Sequence, residues 1–194
     1  AEDYKNKLLY VHVPRTGGTS LCKVLYGKQK GHSALDHFYA WDYDAAFKHF
    51  KFAIVRNPWD RLVSAYHQLS DKPNGASLRT LQAWRGLCLN SFEQMVYAME
   101  DPKLREIMWW RIPHLRSQSY YIDSSFVKMD YVGRFENLLE SIEYISTRLK
   151  IPIALAKSNS TNRTQYQDYY TLETRQIVGR IYEEDISSYG YDFE

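Results

Sequence analysis

The chain is poor in most features that mark the specialised protein classes. It has only two cysteines in 194 residues, Cys22 and Cys88, which excludes a disulfide framework, and no Cys/His cluster has zinc spacing. No apolar run reaches 18 residues, so no transmembrane helix is expected, and no charged-then-apolar leader is visible. The chain starts at Ala1, which is compatible with a trimmed anchor. Neither charge sign dominates: 25 basic against 23 acidic residues leave +2, too balanced to coat a nucleic-acid duplex. Glycine is scarce at nine residues, with one Gly-Gly pair, Gly17-Gly18. Also missing is a Walker lysine: Gly18 is followed by Thr19, and the glycine spacing is too short for that loop. No low-complexity tract or fixed-period repeat appears.

What is present is a chain that is 44% hydrophobic and 25% charged, enough for one ordinary core, with tyrosine over-represented at 17 residues. Leu8–Val13 reads as a short buried strand stopped by Pro14, and a helix is expected over about 19–26. Phe52–Arg56 reads as a second strand. Asn57 is placed to cap the following helix, with Pro58 at its first position and Leu62, Ala65, Tyr66 and Leu69 on one face. Residues 71–112 lose strand character and read as a helical insert carrying Trp84, Trp109 and Trp110. Asp130–Phe135 is a third strand candidate. Asn137 then caps a helix with Leu138, Leu139, Ile142, Ile145 and Leu149 at helical spacing, and a last helix is expected over about 171–187. Strands alternating with helices imply one α/β domain over 1–194, a mostly parallel sheet of four or five strands flanked by helices.

Two segments carry chemistry. Pro14-Arg15-Thr16-Gly17-Gly18-Thr19-Ser20 lies between a strand and a helix. Its glycines admit an anion close to backbone N–H groups, and the helix N-terminus adds unpaired donors. Thr16, Thr19 and Ser20 bring hydroxyls and Arg15 a permanent charge. The plainer reading is an ordinary strand–helix turn. In the second segment Arg56 closes a strand, and Ser64 lies about two helical turns beyond. A guanidinium and a hydroxyl converging there would hold a second anion; the competing reading pairs Arg56 with Asp60.

Together these segments resemble the sulfotransferase superfamily. Val11–Ser20 resembles its 5′-phosphosulfate loop, and Phe52–Tyr66, reading FAIVRNPWDRLVSAY, its 3′-phosphate motif. The nearest flavour is the carbohydrate branch that includes heparan sulfate 2-O- and 6-O-sulfotransferases and bacterial relatives. The stretches 130–138, 166–171 and 189–193 agree in order; the insert at 71–112 matches least. The resemblance implies a P-loop-like fold and the donor 3′-phosphoadenosine 5′-phosphosulfate (PAPS), with no metal. Arg15, Thr16, Gly17, Gly18, Thr19 and Ser20 would hold its 5′ side, Arg56 and Ser64 its 3′-phosphate, and Asn159, Ser160 and Arg163 its far side. The family usually carries Lys where Arg15 stands, and an Arg cannot donate a proton, so Arg15 is expected to act by charge alone.

The position of His32 resembles that of the family's catalytic histidine, with His37 as runner-up base; His12 reads as core. His37, His114 and Gln118 are candidates near the acceptor, although packing of the insert is the favoured reading for His114 and Gln118. Cys22 reads as a small buried residue rather than a dipole-activated thiol, and the three tryptophans as buried rather than sugar-stacking. The expected partner is a hydroxyl-bearing acceptor, a glycan or small alcohol, with no nucleic acid. A nucleotide-dependent kinase and a non-catalytic nucleotide-binding module are the alternatives. Two cysteines favour a bacterial cytoplasm; a Golgi-lumen enzyme trimmed of its anchor has the same composition. The overlapping sequons at Asn159 and Asn162 do not separate these.

Overall fold

The computed structural model describes residues 2–3, 7–71, 76–153 and 164–194. In chain order its elements are β1 (Glu2–Asp3), β2 (Leu8–Val11), α1 (Gly18–Tyr26), α2 (Leu35–Trp41), α3 (Tyr43–Lys48), β3 (Phe50–Val55), α4 (Pro58–Ser70), α5 (Leu78–Gly86), α6 (Phe92–Glu100), α7 (Pro102–Arg111), α8 (Ser119–Ile122), β4 (Tyr131–Arg134), α9 (Leu138–Leu149), α10 (Leu172–Ile181) and α11 (Glu183–Tyr189). Short 3₁₀ turns lie at Pro113–Leu115 and Tyr166–Tyr169. The chain divides into two compact units, Ala1–Arg56 with Gln118–Thr161 and Asn57–Ser117 with Asn162–Glu194.

The first unit holds the sheet, in the order β1-β2-β3-β4. β2, β3 and β4 run parallel, with Tyr10 beside Phe52 and Ile54 beside Gly133. Successive strand side chains point to opposite faces. Leu8, Tyr10, Phe52 and Ile54 pack with Leu21 and Cys22 of α1 and Ile142 and Ile145 of α9. Leu9, Val11, Ala53 and Val55 on the other face are equally buried, as strands of a covered parallel sheet must be. The expectation of four or five parallel strands is corrected: among the described residues three are parallel, and the fourth is a two-residue antiparallel edge. β2 and β3 supply the buried runs of the sheet, whereas β4, Tyr131–Arg134, buries only Gly133 fully. The remaining apolar residues recur at helical spacing.

Those residues build the second unit, a helical core. Leu62, Ala65 and Leu69 of α4 meet Trp84 of α5, Met95, Val96 and Met99 of α6, Met108 of α7 and Ile177 and Val178 of α10. Asn57 caps α4 as its position implied, accepting from the N–H groups of Trp59 and Asp60 at 3.1 and 3.5 Å. Its Nδ2 donates to the Asp192 carbonyl at 2.8 Å, which fastens the tail to the start of α4. Within the stretch 71–112, the described residues from 76 onward form α5, α6 and α7. Trp84 is buried and Trp109 half-buried against the same core, but Trp110 is 70% exposed, because α7 packs through Leu104, Met108 and Trp109 and leaves Trp110 on its outer face.

The single last helix expected over 171–187 is instead two, α10 and α11, broken at Tyr182. The Tyr182 ring is fully buried, its hydroxyl donates to the Leu115 carbonyl at 2.5 Å, and Arg61 lies over its face at 5.4 Å. The break allows that docking.

Arg61 is the largest fully buried side chain of the described residues. It donates to the carbonyls of His114 and Arg116 at 3.3 and 2.6 Å and faces the buried Asp185 carboxylate at 4.0 Å. A guanidinium taken out of water is tolerable only with such partners. Asp185→Ala leaves that charge without its counterion, and the expected cost is about 3 kcal/mol of unfolding free energy in urea titration. A loss under about 1 kcal/mol would show that the carbonyls alone hold Arg61.

Candidate active site

The loop from Pro14 to Gly18 leaves the carboxyl end of β2 and opens α1. Arg15 and Gly17 have left-handed backbones, φ 69° and 77°, while Thr16 and Gly18 between and after them do not. Alternation of hand along consecutive residues turns successive N–H groups toward one concave point, the geometry that receives an anion. A non-glycine residue in this region is uncommon, so the loop spends conformational energy at Arg15 to keep that shape. Thr16 is buried, and its hydroxyl donates to the Val13 carbonyl at 2.9 Å, closing the turn. The first turn of α1 contains no acidic residue, and Gly17, its N-cap, supplies no side-chain acceptor. The opening N–H groups of α1 are thus uncapped by side chains and face no carboxylate of their own turn. Thr19 is exposed and Ser20 half-buried.

Both glycines are dictated by packing as well as by backbone. A Cβ on Gly17 would meet the Phe135 ring at 3.1 Å, on top of the strain of its left-handed φ. A Cβ on Gly18 would lie 2.0 Å from Cδ2 of His12 and 2.6 Å from the Tyr10 hydroxyl. His12, read from sequence as core, is indeed buried, but it forms the floor beneath the loop. Its ring lies 4.2 Å from that of His32 and 5.7 Å from that of Tyr10.

His32 sits in the segment between α1 and α2. Its Nδ1 is 2.9 Å from the His12 carbonyl. A carbonyl only accepts, so Nδ1 carries the proton and, in the neutral ring, Nε2 carries the lone pair. Burial pushes the His32 pKa below its ordinary value; the His12 carbonyl works against this, and the charge of Arg15 adds to it. A downward shift favours the neutral imidazole, the state a proton acceptor needs. His37 is exposed on α2, with its ring against Trp41 at 5.8 Å.

Arg56 follows β3 and belongs to the first unit. It is 8% exposed, its guanidinium donates to the Arg15 carbonyl at 3.1 Å, and it lies over the Phe135 ring at 4.3 Å. The Gln118 amide grips the Arg56 backbone from both sides, accepting from its N–H and donating to its carbonyl, each at 2.9 Å. The structure therefore brings Arg15, Gly17, Gly18, His32 and Arg56 around one loop. Gln118 serves that loop by holding Arg56 in place.

Ser64 is buried in α4 of the second unit. His114, of the same unit, is buried in a 3₁₀ turn whose carbonyl accepts from Arg61, in keeping with the packing reading. Asn159, Ser160 and Arg163 lie outside the described residues. Cys22 is buried, and burial raises its thiol pKa, so the helix dipole does not activate it. Sequence reasoning missed the parts of Phe135 and Gln118 and the floor made by His12. Phe135 and Gln118 are distant in sequence from the loop they support, and His12, although only six residues before Gly18, lies in the strand and carries no local signal of the role.

The fold and site together define an α/β protein in which a glycine loop of alternating backbone hand joins a parallel strand to a helix. Residues 2–192 match the model of the Sulfotransferase family, and the chain belongs to that family, whose members are sulfuryl transferases. No curated protein and no solved structure gives a significant match. Among the described residues, no helix is long and apolar enough to cross a membrane.

Proposed function

We propose that this protein transfers a sulfuryl group from PAPS to an acceptor hydroxyl, most naturally one on a carbohydrate, in line and with a histidine base. The observation that carries the reading is the loop of alternating hand at residues 15–18, with Arg15 within it and the His32 imidazole held beside it by the His12 carbonyl.

The residues fit the 5′ end of the donor by the chemistry of their donors. The N–H groups of Thr16, Gly17, Gly18, Thr19 and Ser20 hydrogen-bond anionic oxygen, with the hydroxyls of Thr19 and Ser20 beside them. Arg15 offsets the charge that grows on the leaving phosphate oxygen. It does so without giving up a proton, since a guanidinium does not deprotonate in proteins. The bound donor supplies the sulfuryl group; the chain supplies orientation and charge. His32 Nε2 takes the proton from the attacking hydroxyl, and the His12 carbonyl holds the ring in the required tautomer. His37 is the second candidate for this proton transfer. The assignments of Arg56 and Ser64 to the 3′-phosphate, of Asn159, Ser160 and Arg163 to the far side, and of His37, His114 and Gln118 to the acceptor rest on the motif resemblance.

Calorimetry with 3′-phosphoadenosine 5′-phosphate, set against ATP with magnesium, tests the reading. Saturable binding of the first and none of the second is expected. The reverse result identifies a kinase and ends the proposal. A sulfate-transfer assay on hydroxyl acceptors then separates an enzyme from a binding module. In that assay Arg15→Ala is expected to lose about 10²–10³ in turnover, as for removal of one charge-stabilising donor, and Arg15→Lys to recover part of it. Near-wild-type turnover in Arg15→Ala would remove the residue from the mechanism.

A further inference from the structure

The parallel strands have two ends, and the loop and Arg56 occupy only the carboxyl one. At the opposite end the residues that precede β2, β3 and β4 meet the end of α9 around an open cavity of about 370 Å³. Its lining carries four cationic side chains, Lys7, Lys48, Lys51 and Arg148, against one carboxylate, Asp130. That carboxylate is already engaged. It accepts from the Lys51 N–H at 2.7 Å and pairs with the Lys51 ammonium at 2.9 Å.

Lys51 is correspondingly a fixed part of the wall: its side chain is 7% exposed and also donates to the His49 carbonyl at 2.9 Å. Arg148 is held over the Phe50 ring at 5.2 Å, which aims a guanidinium along one side. Lys7 is anchored through its carbonyl, which accepts the Phe50 N–H at 2.8 Å. Lys48 reaches Asp44 at 3.0 Å, but both side chains are about 70% exposed, so water screens that pair and leaves Lys48 available. Among these cations Phe47, 47% exposed, gives the cavity one open aromatic surface, while the Phe50 ring carries Arg148. Its volume lies in the range of small-molecule sites.

We infer that this cavity is a second anion site, which takes a small molecule bearing a phosphate or sulfate ester on a flat apolar body. The ester oxygens meet Lys7, Lys48 and Arg148, and the flat body lies against the exposed Phe47 ring. The site is separate from the glycine loop. Strands of four to six residues at about 3.3 Å each set the two ends of the sheet some 13–20 Å apart, so one ester group does not contact both.

The test is an amide NMR titration of the full chain with phenyl phosphate, phenyl sulfate and, as a neutral control, benzyl alcohol. Saturable shifts are expected at Lys7, Lys48, Phe50 and Arg148 with the anions and not with the alcohol. A response to one ester alone, or to both, tells which group the site prefers. The double variant Lys7→Glu/Arg148→Glu should weaken the anion at least tenfold while binding of 3′-phosphoadenosine 5′-phosphate is unchanged. The milder Lys7→Gln/Arg148→Gln pair, expected to weaken it about threefold or more, guards against misfolding. Shifts confined to residues 15–20, equal binding of benzyl alcohol, or unaltered affinity in both double variants would each overturn the inference.

Discussion

Replacing Gly18 with alanine is expected to abolish donor-nucleotide binding and to destabilise the first unit. The added methyl would lie 2.0 and 2.2 Å from Cδ2 and Nε2 of His12 and 2.6 Å from the Tyr10 hydroxyl, far inside contact distance. Neither neighbour yields easily. Tyr10 is fully buried and stacked on Phe52 at 4.8 Å. The His12 ring is held by its Nδ1, 3.2 Å from the Lys30 carbonyl, and by the His32 ring beyond it. Either His12 swings away and takes the His32 support with it, or α1 lifts and the loop opens. Overpacking of this kind costs about 1–3 kcal/mol. The N–H groups of the loop lose their common aim at the same time, and with it the proposed grip on an anion. Denaturant unfolding and calorimetry with 3′-phosphoadenosine 5′-phosphate read the two effects. An alanine variant as stable as wild type, with unchanged affinity, would mean that the loop does not have the shape described.

His32→Ala should cost about 10²–10⁴ in turnover, the usual contribution of a general base. The pH profile distinguishes this role from a purely structural one. Because burial lowers the His32 pKa, the wild-type acid limb should fall below the ordinary histidine value of about 6.5, with turnover flat at neutral pH. The variant should lose that limb. His37→Ala should leave it in place. If neither variant loses rate, no imidazole at these positions acts as the base.

The same shift has a sign for stability. A histidine whose folded pKa lies below its unfolded value binds more protons unfolded than folded as pH drops between the two. Its contribution is complete above the unfolded value and is lost as pH falls through the folded one. Wild-type stability should therefore decline on acidification below about pH 6.5 more steeply than that of His32→Gln.

What was legible from the residues was local. The strand ends at Pro14, the Gly17-Gly18 loop, the Asn57 cap with Pro58, and the apolar spacing of α4 and α9 all depend on residues within one or two turns of each other. Propensity, capping and side-chain period act at that range. The structure keeps the turn at the two glycines and the Asn57 cap, but the first strand, read as Leu8–Val13, ends at Val11, and Leu139 of the α9 set is 80% exposed. The Asn137 position does begin α9, although its side chain makes no cap hydrogen bond. The helices α2 and α3 were not anticipated; they are only seven and six residues long, too short for a periodic signal to stand out.

The sequence by itself thus determined the α/β alternation, the glycine turn between β2 and α1 and the resemblance to the family whose model the chain matches. Tertiary structure alone decided how many strands pair, which face of α7 stays open, and that Gln118, 62 residues away, clamps Arg56. It also turned His12 from a core residue into the support of both Gly18 and His32, and collected four cations at the far end of the sheet. The reason is the reach of the interactions. A cap or a periodic face is written in neighbouring residues, whereas a clamp, a floor or a charged cavity exists only once remote segments fold to within a few ångströms of one another.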